Sequence, residues 1–229
     1  MTRPLVIAHR GASAREVENS LAAFRAAVRL GADGVELDIH ATADGGLIVH
    51  HDAELDGTRS IPELTTREVQ AVRLSNGEPV PTLAEALDAC GSGLRVFVEV
   101  KSLPPQFDRR LLDALDHGPN PAGCAVHGFD HRIVRRLGIA RPTLARGVLS
   151  TAYPVRPVAP LQDAGATILW QERSLVDADL VAALHAQGCR LFVWTVDDAD
   201  EMRRFARLGV DAICTNAPDV GRRAIEAAA

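Results

Sequence analysis

Short apolar runs rich in β-branched residues alternate with longer amphipathic segments along the chain, and this alternation restricts the fold more than any other feature. Segments such as ENSLAAFRAAVRLG and DADEMRRFARLG are predicted helices, because most follow an Asp, Asn or Thr and each ends in glycine. Parallel strands need such crossover segments, so the pattern predicts an α/β fold, a single (β/α)8 barrel. The predicted strands are LVIAH, GVELDI, LRVFVEV, GCAVHGF, LARGVL, ATILW, RLFVWTV and DAICT.

Residues 40–82 interrupt the alternation. They contain a short additional strand, GGLIVHH, and a polar stretch, DGTRSIPELTTREVQAV. We interpret this region as a small excursion from the barrel rim after the second strand. No linker or low-complexity tract divides the chain, so we expect one domain over residues 1–229.

Composition limits the partners and the compartment. A formal charge of −5, with no basic stripe, argues against a nucleic-acid surface but leaves room for one small anionic substrate. The N-terminal apolar stretch is too short for a signal peptide, and no stretch is long enough to span a membrane. The four scattered cysteines fit reduced thiols, so we expect a cytoplasmic protein without stable membrane insertion.

Side-chain alternation places acidic residues inside the predicted barrel. In GVELDI, Glu36 and Asp38 share one face, and in RVFVEVKS Glu99 lies on the same face as Lys101. Three carboxylates at one barrel mouth would suit a cation that prefers oxygen, Mg²⁺ or Ca²⁺. The alternative is a set of buried salt bridges, in which Glu36 or Glu99 pairs with Arg10 or Lys101.

Histidines end two further segments. LVIAHRGA ends with His9, Arg10 and a glycine, a plausible acid/base and anion-binding group. IVHHD places His50 and His51 before Asp52. His51 has the strand parity of Leu47 and Val49, whereas His50 has that of Ile48.

These segments, in this order, resemble the glycerophosphodiester phosphodiesterase family. The resemblance covers almost the whole chain, and its strongest element is the ordered set HR, ExD, HD and ExK, carried by IAHRGAS, GVELDI, VHHD and VEVKS. FVWTVDD and GVDAICTNAP follow in the same order. The resemblance implies a TIM barrel of the phosphatidylinositol-phospholipase-C-like type with a small insertion after strand two, which matches the excursion at 40–82.

The resemblance also implies residue roles and a reaction. The expected reaction is metal-dependent hydrolysis of a glycerophosphodiester to glycerol 3-phosphate and an alcohol. Glu18 and Asn19 would shape the first loop, and Asp52 would orient a histidine or brace the turn. The implied general acid and base are His9 and His51, and the implied metal ligands are Glu36, Asp38 and Glu99. Arg10 and Lys101 would bind the phosphate, and the Trp194 side chain would pack on the glycerol.

Several alternatives stay open at this point. The family register selects His51 over His50, in agreement with strand parity, but does not say which of His9 and His51 is the acid. Attack by water and attack by a glycerol hydroxyl, which would form a cyclic phosphate, are both compatible with these residues. A related phosphodiesterase or lyase acting on a lysophospholipid or sphingolipid headgroup is a second candidate, and a noncatalytic anion-binding or metal-binding barrel is a third.

Three departures from the family pattern concern loops. VENS lacks the proline that commonly precedes its glutamate, VWTVDD has aspartate where asparagine often follows the valine, and TNAPD stands where TDxP is usual. None falls on an implied metal ligand. Aromatic residues make up only 4% of the chain, which favours a headgroup diester over an intact phospholipid.

Overall fold

Eight parallel strands close into a barrel in the computed structural model, which describes residues 3–226. β1 pairs with β2 on one side and with β11 on the other, and β6 to β10 complete the circle, so the predicted (β/α)8 barrel is confirmed. The strands are β1 (Leu5–His9), β2 (Gly34–Ala41), β3 (Leu47–Val49), β4 (Glu54–Leu55), β5 (Arg59–Ser60), β6 (Arg95–Ser102), β7 (Cys124–His127), β8 (Ala145–Ser150), β9 (Ile168–Glu172), β10 (Arg190–Trp194) and β11 (Ala212–Thr215).

Helices follow the barrel strands, and several of them begin at side-chain caps. The Thr82 hydroxyl caps α3 by accepting from the Glu85 backbone N–H, and the Glu85 carboxylate accepts in turn from the Thr82 backbone N–H. Asp198 caps α8. No helix within residues 3–226 combines the length and apolarity needed to cross a membrane. The helices are α1 (Leu21–Arg29), α2 (Thr66–Gln70), α3 (Leu83–Cys90), α4 (Asp108–His117), α5 (His131–Ala140), α6 (Ala159–Ala164), α7 (Ala178–His185), α8 (Ala199–Leu208) and α9 (Pro218–Glu226).

The excursion predicted at 40–82 starts two residues later in the structure, because β2 continues to Ala41, and it ends before α3. β3 extends the end of β2 in antiparallel register, with Ile39 opposite Val49, and β4 and β5 form a small hairpin. A separate apolar cluster supports this region and comprises Ile48, Leu55, Ile61, Val69 and Val80. The antiparallel pairing returns the chain to the carboxyl end of β2, which brings His50 and His51 to the barrel mouth.

Aromatic side chains fill the barrel interior below its carboxyl-terminal mouth. Phe97 and Trp170 meet edge to face with ring centroids 5.5 Å apart, and Trp170 meets Phe192 in the same way at 5.0 Å. Phe97 lies two residues before Glu99 on the same face of β6, so this layer lies directly beneath the acidic residues. The polar side chains therefore line a cavity at the carboxyl ends of the strands, above this aromatic layer.

Candidate active site

Buried ion pairs join the ends of β2 and β6. Asp38 is 1% exposed, and its Oδ1 lies 3.2 Å from Lys101 Nζ while its Oδ2 lies 3.3 Å from Arg10 Nε. Asn19 Nδ2 donates to the same Oδ2 at 2.8 Å. Lys101 Nζ also lies 2.6 Å from Glu99. Of the salt bridges considered from the sequence, the one between Glu99 and Lys101 is present, and Asp38 is the acid that pairs with both cations.

Electrostatics separates Asp38 from its two neighbours. Burial acts to raise the pKa of Asp38, but Lys101 and Arg10 bring it below its usual value. Burial, followed by the Asp38 charge, raises the pKa of Glu99 to about 7 despite the contact with Lys101. Burial and the charges of Asp38 and Glu99 raise the pKa of Glu36 well above its usual range. The surroundings of Glu36 and Glu99 therefore hold too little positive charge to stabilise both carboxylates in their ionised form.

A third potential ligand, His127, joins Glu36 and Glu99. One donor atom from each of the three residues lies within 4.8 Å of the others, and all three side chains are buried. His127 Nε2 lies 3.9 Å from Glu36 Oε1, and the ring stacks on Trp170 with centroids 4.2 Å apart. His127 was not predicted as a site residue from the sequence. Its position opposite Glu99 in the β6–β7 register was the available signal, because an inward-facing residue at that strand end must reach the same mouth.

The loop after β1 holds Arg10 in an unusual backbone conformation. Arg10 has φ of 55° and Gly11 has φ of 80°, both in the left-handed region. A Cβ on Gly11 would approach the Ala23 backbone to 2.7 Å, so this turn requires glycine. The turn directs the Arg10 N–H to Glu36 Oε2 at 3.1 Å, while Arg10 Nη1 binds Glu18. Glu18 and Asn19 thus brace the Arg10 and Asp38 side chains.

His9 ends a chain of three polar side chains. Asn216 Nδ2 donates to Asp197 Oδ2 at 2.6 Å, which turns the Asn216 Oδ1 toward His9 Nδ1 at 2.7 Å. An amide oxygen accepts only, so His9 Nδ1 carries the hydrogen and Nε2 keeps a free lone pair. Burial lowers the pKa of His9, which leaves the ring neutral at pH 7. The sequence analysis noted Asn216 and Asp197 only as departures from a pattern.

The structure distinguishes His51 from its neighbour. His51 lines the cavity, and its Nδ1 donates to the Asp52 carboxylate at 2.7 Å, which leaves Nε2 free. His50 is not among the lining residues described, and its Nδ1 lies 2.9 Å from the Asp52 backbone oxygen. The two adjacent side chains thus occupy different environments.

One cavity at the barrel mouth unites most of these groups. Trp194 borders it, with Phe129 packed edge to face against the indole at 5.9 Å. Phe129 is 49% exposed, so the two rings form an apolar rim beside the charged groups. The cavity-lining side chains that carry a charge, an imidazole or an indole are His9, Arg10, Glu36, His51, Glu99, Lys101, His127, Trp170 and Trp194.

A closed parallel barrel with acids, cations and histidines at its carboxyl-terminal mouth has the architecture of a TIM-barrel enzyme. The family model described as the glycerophosphoryl diester phosphodiesterase family matches residues 9–220. A glycerophosphodiester phosphodiesterase of Caldanaerobacter subterraneus subsp. tengcongensis is 33% identical over 232 residues, covering 95% of this chain and 96% of that protein. The chain therefore belongs to this family, and it is a phosphoric diester hydrolase.

Solved structures share the architecture. A glycerophosphodiester phosphodiesterase from Parabacteroides distasonis superposes with a TM-score of 0.89 at 27% identity, covering 98% of each chain. An Oleispira antarctica phosphodiesterase, solved in complex with the product sn-glycerol-3-phosphate, gives a TM-score of 0.91 at 24% identity. That match covers 98% of this chain and 97% of the other, and it shows the same fold.

Proposed function

We propose that this protein hydrolyses glycerophosphodiesters to glycerol 3-phosphate and an alcohol, in a reaction that depends on a divalent cation. The observation that carries the proposal is one cavity lined by His9 and His51 together with buried carboxylates and two cations. The product bound to the Oleispira antarctica relative supports a small glycerol-containing substrate. The few aromatic residues favour a water-soluble headgroup diester over a whole phospholipid.

The charges at the mouth fit a bound cation. When all three are ionised, Glu36, Asp38 and Glu99 carry three negative charges against the two positive charges of Arg10 and Lys101, and a bound cation would offset the negative charge in excess. We propose that the three carboxylates hold the cation, and an all-oxygen set would select Mg²⁺ or Ca²⁺. When bound, it would polarise the phosphoryl group as a Lewis acid.

Arg10 and Lys101 keep donors for the substrate phosphate. Lys101 has three N–H donors, and its two close contacts are Glu99 and Asp38, so one donor is left for a phosphate oxygen. Arg10 uses Nη1 for Glu18 and directs Nε toward Asp38, so Nη2 can face the cavity. Trp194 then packs against the glycerol carbons through its indole face.

The two histidines divide the proton transfers. His9 is neutral at pH 7 and has a free Nε2, so it acts as the base that takes the proton of the attacking hydroxyl. That hydroxyl belongs either to water, which gives glycerol 3-phosphate directly, or to the neighbouring glycerol carbon, which gives a cyclic phosphate that water then opens. His51 acts as the acid in its doubly protonated form, in which Nδ1–H donates to Asp52 and the Nε2 proton passes to the departing alkoxide. The phosphorus–oxygen bond to the alcohol breaks as the bond to the attacking oxygen forms.

A substrate panel tests this proposal. Metal-free protein should release no glycerol 3-phosphate from glycerophosphocholine, glycerophosphoethanolamine or glycerophosphoglycerol, and stepwise Mg²⁺, Ca²⁺ or Mn²⁺ should restore release. Phosphorus NMR separates glycerol 3-phosphate from a cyclic phosphate, which would identify a lyase if it accumulated as the final product. Full activity in demonstrably metal-free protein would overturn the metal role. A cytoplasmic location, the absence of a nucleic-acid partner and the absence of stable membrane insertion stay predictions.

A further inference from the structure

Among the residues that the structure describes, His127 makes no hydrogen bond that would account for an imidazole at its position. Its side chain is about as buried as the barrel core, and Nδ1 has no hydrogen-bond partner within residues 3–226. A buried polar atom without a partner costs about 1–3 kcal/mol. Phenylalanine would stack on Trp170 without that cost, so packing alone does not explain the residue.

We infer that His127 is a nitrogen ligand of the cation held by Glu36 and Glu99, which makes the site a mixed imidazole and carboxylate site. The inference rests on the metal site of the proposed function and assigns it one more ligand. The 3.9 Å separation of His127 Nε2 from Glu36 Oε1 is too long for a hydrogen bond. Two ligand atoms that bind the same ion through bonds of about 2.0–2.4 Å lie roughly 3–5 Å apart. The donor atoms of Glu36, Glu99 and His127, which lie within 4.8 Å of one another, fit this spacing.

The surroundings of Asp38 strengthen the argument. Both of its oxygens already meet cations or the Asn19 amide, whereas within residues 3–226 Glu99 pairs with Lys101 alone and Glu36 pairs with no Lys or Arg side chain. His127 places a donor atom within 4.8 Å of a donor atom on each of these two acids, and burial keeps its ring neutral, as ligation requires. His127 would therefore supply a nitrogen ligand beside these carboxylate oxygens.

Nitrogen ligation has a consequence for metal preference. Imidazole favours Zn²⁺ and Co²⁺, whereas Ca²⁺ and Mg²⁺ take oxygen ligands. The intact protein should therefore bind Co²⁺ more tightly relative to Ca²⁺ than an all-carboxylate site would. Replacing His127 should lower the Co²⁺ affinity by at least about tenfold while changing the Ca²⁺ affinity by less than about threefold.

Pulsed EPR of the full chain loaded with Mn²⁺ tests the ligand directly, because a histidine nitrogen bound to the ion modulates the electron spin echo. The wild-type protein should show this coupling. H127F, which keeps the stack on Trp170, and H127Q, which offers an oxygen, should both lose it. H40Q is the matched control, since His40 is also buried but bonds Ser102 and the His51 backbone oxygen. It should retain the coupling.

Calorimetric titration of the same proteins with Co²⁺ and with Ca²⁺ gives the selectivity. Absence of nitrogen coupling in Mn²⁺-loaded wild type overturns the inference without reference to any variant, and so does an unchanged Co²⁺ to Ca²⁺ affinity ratio in a folded H127Q. Hydrolysis measured in parallel separates the two proposals. Activity without nitrogen coupling would remove His127 alone, whereas nitrogen coupling without glycerophosphodiester hydrolysis would remove the proposed function.

Discussion

Asn216 donates to Asp197 at 2.6 Å and at the same time accepts from His9 at 2.7 Å, so a neutral amide separates the imidazole from the carboxylate. The two residues stand at positions where the family pattern has aspartate and asparagine in the opposite arrangement. Because Asp197 and Asn216 contact each other, the two departures amount to an aspartate and an asparagine that have exchanged places within one hydrogen-bonded pair. His9 therefore has no directly bonded carboxylate to offset burial, which lowers its pKa, and a neutral ring suits a proton acceptor.

Reversing the exchange should change the pH dependence of catalysis. In the double variant D197N/N216D, a carboxylate contacts His9 Nδ1 and stabilises the imidazolium, so the pKa of His9 should rise. The acid limb of the kcat/KM profile should move up by about one pH unit, because a base must be deprotonated to act. N216D alone brings two carboxylates together and should also lose stability. An unmoved acid limb in a folded double variant would contradict the assignment of His9 as the base.

The barrel was predictable from the sequence because each strand and helix carries its own periodicity. The inward-facing positions of Glu36, Asp38 and Glu99 followed from the alternation of side chains along their strands. Contacts between loops carry no such period. Asn216 and Asp197 are 19 residues apart, and only closure of β11 beside β10 brings them together. His127 had the correct parity, but an isolated histidine is too common a residue to identify a ligand. The ion pair between Asp38 and Arg10 depends on a left-handed turn at Arg10 that no local sequence pattern predicted.

Trp194 should affect specificity more than general activity. Its indole borders the cavity, so W194A should lower kcat/KM about tenfold or more for glycerophosphocholine, through lost packing on the glycerol carbons. A generic aryl phosphodiester, which has no glycerol, should be affected much less. W194F keeps a ring and serves as the matched control. Equal losses on both substrates would place Trp194 outside the glycerol site.

Stability of the metal-free protein should depend on Glu99. The pKa of this carboxyl rises from 4.5 to about 7 on folding, so between these values the unfolded chain releases its proton first. The free energy of unfolding should therefore fall as pH rises from 4.5 to 7, by up to roughly 3–4 kcal/mol.

E99Q removes this titration and should make the metal-free protein more stable than wild type at pH 8, with a smaller difference at pH 4.5. Chemical denaturation at the two pH values, in the presence of a chelator, measures both quantities. E54Q, at an exposed position on β4, is the control and should change little. A metal-free E99Q protein less stable than wild type at pH 8 would show that the Lys101 contact outweighs burial.

The adjacent histidines offer the sharpest test of the acid. H51A should lower kcat by roughly 10²–10⁴ while metal binding and the fold are retained, the usual effect of removing a proton donor or acceptor. H50A should do far less, because His50 bonds a backbone oxygen outside the cavity lining.

An activated diester, whose leaving group needs no proton, separates the acid from the base. H51A should lose much less rate on this substrate, whereas H9A should stay severely impaired because base activation is still required. A crippled H50A beside a nearly normal H51A would mean that the roles of the pair are reversed. Mild effects of both H9A and H51A would contradict the acid and base mechanism itself.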